Sequence, residues 1–107
     1  MYYLITYDLH GDNKQYRSII LAIESVADRN CASHILKSAW LIRTPDKSAK
    51  DIYDVLKECL DFDDECFVVE IENKCAFKLL NTKPKEVQDL LSGEDLSDYP
   101  NRLKANE

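Results

Sequence analysis

Two side chains suited to chemistry stand where an apolar stretch near the start of the chain gives way to polar residues. They are Asp8, which ends the run YYLITYD, and His10 in the segment HGDNK that follows. A carboxylate at the mouth of a strand either accepts backbone N–H groups of the next turn or serves as a site residue, and the residue types leave both readings open. An imidazole titrates near neutral pH, so His10 qualifies as a general base, while a lone histidine in a polar turn is equally consistent with plain exposure. His34, at the start of the next extended stretch, has the same two readings.

A second group is cationic. Lys37, Arg43, Lys47 and Lys50 bracket the stretch HILKSAWLIRT and the segment after it. They are placed to touch a nucleic-acid backbone, although Asp46 and Asp51 between them describe an ordinary mixed surface. Trp40 and the tyrosines have faces on which bases can stack. Lying within strand-like runs, they fit a core or a dimer interface better.

The elements that must position these groups follow from periodicity. Tyr2, Leu4 and Thr6 alternate with Tyr3, Ile5 and Tyr7, and neither set is charged, which predicts a central strand over 2–8 covered on at least one side. Asp12 with Gln15 resembles a capping box. Tyr16, Ile19, Ile20, Ile23 and Val26 then share a helical face, so a helix is expected over 13–28. Residues 34–44 read as one bent strand or as two short ones, because Lys37-Ser38 interrupts the apolar run and Thr44-Pro45 closes it. Ser48, with Asp51 three positions on, opens a second amphipathic helix to about Leu60. The acidic run DFDDE reads as a solvated turn.

ECFVVEI, residues 65–71, is a strand by its Phe and Val content. Glu72-Asn73-Lys74 is expected to turn the chain so that CAFKLL, residues 75–80, pairs back as a hairpin strand. Lys83-Pro84 starts a short third helix that Ser92-Gly93 stops. The expected organisation is a domain over 1–92 and a polar C-terminal tail over 93–107. The order strand, helix, two strands, helix, strand predicts an α+β fold of the ferredoxin-like βαββαβ type, with two helices on one face of an antiparallel sheet. The other face is expected to be bare and to receive a second subunit.

Bulk properties narrow the class. A chain of 107 residues makes one domain, and so small a core gains from a partner, so a homodimer is expected. The net charge of −6 argues against a surface coated in phosphate-binding residues and confines any contact with RNA or DNA to a local or metal-assisted one. Neither an 18-residue apolar stretch nor a signal-peptide pattern is found, which predicts a cytoplasmic protein with no membrane partner. Cysteines at 31, 59, 66 and 75 form no C-x-x-C pair and read as reduced core filler. The glycines form no phosphate-gripping loop that would suggest a nucleotide sensor.

YYLITYDL with its polar turn and helix, then LKSAWLIRT, an amphipathic helix and ECFVVEI, resembles the small CRISPR-associated endonuclease called Cas-two and its relatives, the VapD ribonucleases and SinR-type proteins. The likeness covers roughly residues 1–80. It implies a ferredoxin-like dimer and, in active members, metal-dependent cleavage of RNA or DNA. It further implies that Asp8 and its symmetry mate hold a divalent cation, Mg2+ or Mn2+, and that Ser38 bonds a phosphate or the site aspartate. HGDNKQYR departs from the family's basic segment by offering Lys14 and Arg17 beside the extra acid Asp12, which places the likeness nearer the SinR side. A non-catalytic dimeric module binding nucleic acid or protein is the alternative reading.

Overall fold

β1 (Tyr2–Asp8) lies inside a four-stranded antiparallel sheet and organises it. The computed structural model describes residues 1–10 and 13–99, with the backbone alone for 13–15. After β1 come α1 (Asn13–Val26), β2 (Ala32–Leu36), β3 (Ala39–Arg43), α2 (Ala49–Leu56), β4 (Glu65–Ile71) and α3 (Lys83–Leu91). The strands lie in the order β2-β3-β1-β4. β1 pairs with β3 from Tyr2↔Arg43 to Thr6↔Ala39, and with β4 from Tyr2↔Ile71 to Asp8↔Glu65.

Alternation along β1 divides the core in two. Tyr3, Ile5 and Tyr7 point to one face, where Trp40 and Ile42 of β3 meet Ile19, Ile20 and Ile23 of α1 and Ile52 and Leu56 of α2. The Trp40 indole N–H donates to the Tyr7 hydroxyl at 3.1 Å, which satisfies two buried polar groups at once. α2 begins as its sequence predicts: Ser48 accepts from the Asp51 amide while Asp51 accepts from the Ser48 amide. The Asp12–Gln15 capping box expected for α1 lies outside the described residues.

α1 ends two residues earlier than its periodicity suggests. The Asp28 amide donates to the Arg43 carbonyl at 2.8 Å and Asn30 takes a positive φ of 57°, so the chain leaves the helix to meet β3. Residues 34–44 resolve into two strands. The turn at Lys37-Ser38 separates β2 from β3, and β2 shifts register between His34 and Leu36.

The opposite face differs from expectation in two ways. It is not bare: Val87 and Leu90 of α3 pack on Cys31 and Leu41, with Tyr2, Ile35, Ile71 and Leu79 around them. The hairpin strand expected over 75–80 does not form either, and no strand pairing is recorded for these residues. The physical reason is that CAFKLL serves as a strap across the sheet, where Phe77 and Leu79 line a groove above Leu4 and Leu41. Apolar residues there answer to the sheet surface below rather than to a partner strand.

α3 is fastened at both ends. Lys83 Nζ donates to the Ile35 carbonyl at 3.2 Å. Arg43 Nη1 donates to the carbonyls of Leu90 and Glu94, each at 3.0 Å, and Tyr2 Oη to those of Leu90 and Leu91. A cation at the C-terminal carbonyls also suits the helix dipole. Glu86 is buried with both carboxylate oxygens occupied, accepting from Ser33 Oγ at 3.2 Å and Thr82 Oγ1 at 2.7 Å. Beyond α3 the chain stays docked to Tyr99: Leu96 is fully buried and its amide donates to the Asn30 carbonyl at 2.7 Å. Among the described residues no helix is long and apolar enough to cross a membrane.

Candidate functional site

Pleating sends Asp8 to the same face as Tyr2, Leu4 and Thr6, at the end of β1 where the sheet stops. Asp8 is exposed, and among the described residues no side-chain hydrogen bond is recorded for its carboxylate. Glu65, also exposed, stands directly opposite on β4. Like charges in directly opposed positions of an antiparallel pair repel each other.

The turn after β1 is held by a different acid. The His10 amide donates to Asp64 Oδ1 at 2.8 Å, and the Asp61 amide donates to Asp64 Oδ2 at 2.7 Å. The Asp64 side chain is fully shielded from solvent, so DFDDE is more than a solvated turn: its last aspartate ties the exit of β1 to the entry of β4. That bond takes up the His10 amide, one of the backbone donors within reach of Asp8 at this turn; residues 11 and 12 lie outside the described residues. The signal in the sequence was local and faint, since Asp61-x-x-Asp64 has the spacing of a side chain that caps its own turn. Nothing in it points to His10.

His10 Nδ1 lies 3.7 Å from Asp64 Oδ1 and half of the His10 side chain meets solvent. Ligand atoms of His10, Asp63 and Asp64 all fall within 4.8 Å of one another. Ser38 stands beside Tyr7, whose amide donates to the Ser38 carbonyl at 3.1 Å. Asp8, His10 and Ser38 therefore share one end of the sheet, and the structure brings His10 together with Asp63 and Asp64. His34 stacks on Trp40 with ring centroids 4.6 Å apart and planes 5° from parallel, and its Nε2 lies 3.0 Å from the Lys37 carbonyl. It is a packing residue.

Several other groups are spoken for. Burial pushes the Tyr7 phenol up, against the opposing effect of the Trp40 N–H, so it stays neutral. Burial likewise raises the Cys59 and Cys66 thiols, which weakens them as nucleophiles. None of the four cysteines is in a disulfide; only Cys31 is buried, and Cys75 is exposed, which corrects the reading of the set as core filler. Of the cationic group, Arg43 is committed to α3, Lys47 pairs with Asp46 at 3.6 Å and Lys50 with Asp54 at 3.0 Å.

Comparison with protein-family models, with curated proteins and with solved structures finds no match.

Proposed function

We propose that the protein is a small metal-dependent endonuclease of the Cas-two, VapD and SinR group, acting on RNA or DNA phosphodiesters as a homodimer. The observation that carries this reading is the exposed Asp8, set opposite Glu65 at the end of the sheet, with the neighbouring His10 amide held by Asp64. Two opposed carboxylates are unfavourable alone and favourable around a divalent cation, and oxygen ligands of this kind suit Mg2+ or Mn2+. The donor set therefore suits such an ion, with Asp8 and Glu65 as the residues that would hold it. The ion would supply Lewis-acid polarisation of a phosphate oxygen.

The chain's own residues supply the rest. His10 has its backbone fixed by Asp64 and its ring half in solvent, a suitable arrangement for accepting a proton at a ring nitrogen. Ser38, at the same end of the sheet, would bond a phosphate oxygen. The order β2-β3-β1-β4, with α1 and α2 together on one face, supports the ferredoxin-like βαββαβ frame. α3 and the strap lie against β2, β3 and the far end of β1, so the β1–β4 corner near Asp8 is the surface left for a second copy. Phe67, 65% exposed on that corner, is its apolar anchor. Two copies meeting there would bring their Asp8 side chains face to face.

The deciding experiment incubates labelled RNA and DNA with the protein and Mg2+ or Mn2+, comparing wild type with Asp8→Ala. Cation-dependent cleavage that falls by at least about 100-fold in the variant is the expected result, a loss typical of a group acting on the reacting centre. Cleavage that survives the substitution refutes the role of Asp8. Absence of cleavage together with dimerisation in solution leaves the non-catalytic binding module.

A further inference from the structure

The second sheet face holds a groove of about 490 Å³ between the strands and the strap over 74–80. Protein interiors seldom leave voids of more than a water molecule, whereas small-molecule sites run from about 300 to 1,000 Å³. Its floor is Leu4 and Leu41, and its far wall is Phe77 and Leu79. Aliphatic side chains dominate this lining, and Phe77 is its one aromatic, so the walls suit a flexible hydrocarbon chain better than a stacked ring.

Charge decides the other end of the ligand. Lys74 and Lys78 are the charged residues that line the groove. No ion pair is recorded for either among the described residues, although the chain carries 20 acids to 14 Lys and Arg. Lys47, Lys50, Lys57 and Lys85, by contrast, each lie within 4 Å of an aspartate. We infer that this groove binds an aliphatic carboxylate of fatty-acid type, with its chain along Leu4, Leu41 and Leu79 and its carboxylate at Lys74 and Lys78. The inference is independent of the chemistry assigned to Asp8, which lies outside the lining.

The test titrates the full chain with dodecanoate below its micellar concentration, with dodecanol and dodecyltrimethylammonium as neutral and cationic chains of the same length. One dodecanoate per chain is expected, bound more tightly than the alcohol, with the cation weakest. Lys74→Glu with Lys78→Glu should weaken dodecanoate by about tenfold or more and leave dodecanol within about twofold. Ala76→Trp, at an exposed strap position that lines the groove, should weaken both ligands, with circular dichroism confirming that each variant is folded. Dodecanoate binding no tighter than dodecanol overturns the inference. So does binding indifferent to charge reversal, or self-association that excludes the ligand.

Discussion

Replacing Arg43 with methionine keeps the aliphatic stem of the side chain and deletes the guanidinium that fastens α3 to β3. Three contacts are lost: Nη1 to the carbonyls of Leu90 and Glu94, each at 3.0 Å, and Nη2 to Cys31 Sγ at 3.1 Å. The Leu90 carbonyl keeps the Tyr2 hydroxyl at 2.9 Å, the bond to Glu94 is exposed, and the Cys31 sulfur is a weak acceptor, so no buried carbonyl is orphaned. What disappears is the net worth of a charged donor, about 1.5 kcal/mol, plus its interaction with the helix terminus, about 0.5 kcal/mol. A loss of about 2 kcal/mol lowers Tm by roughly 10 °C in a domain of this size. Thermal melting followed by circular dichroism measures the total, and hydrogen exchange locates it. Amides of α3 and residues 93–99 should exchange faster while those of α1 and β1 keep their protection. Adding Tyr2→Phe, which leaves the Leu90 carbonyl without either side-chain donor, should cost more than the two single changes summed. A Tm shift under about 2 °C, with exchange in α3 unchanged, would refute the claim that this cation fastens the helix.

Trp40→Phe removes the bond to the Tyr7 hydroxyl and leaves space in a fully buried position; chemical denaturation should show a loss of about 2–3 kcal/mol. Asp64→Asn keeps the shape of the turn and removes the shielded charge that accepts from His10 and Asp61, so the His10 amide should exchange faster and cation-dependent cleavage should fall with it. Asp89 is held below the usual carboxylate range by the Tyr99 hydroxyl first and Lys85 second. A depressed folded value stabilises the fold above the ordinary aspartate range, near pH 4, and that contribution is lost as pH falls through the folded value. Tyr99→Phe should therefore move the Asp89 titration upward in a carboxyl-carbon NMR experiment, and an unmoved titration would show that the hydroxyl is not the cause.

Elements with a strong period were legible in advance. The alternation in β1, the apolar face of α1 and the Ser48–Asp51 box each record a local choice that the tertiary fold leaves standing. The misreadings come from long-range packing. The strap over 75–80 looks like a strand because it is apolar, yet it owes that character to the sheet it crosses. α1 gives up its last two expected residues because the Asp28 amide has a better partner in β3. The site divides in the same way: Asp8 and His10 were visible from their types and from the end of the strand. Asp64 acts on His10 from 54 positions away, a distance at which spacing in the sequence carries no signal.

Among the described residues β4 has a hydrogen-bonded neighbour on one flank only, so a seven-residue strand forms that rim of the sheet. Such a rim is a template for strand-to-strand polymerisation unless charge guards it. Glu65 and Glu70, both exposed, are the guards, and their protection is electrostatic. Rising ionic strength shortens the reach of that repulsion, so edge-to-edge pairing along β4 becomes easier in concentrated salt than in dilute buffer.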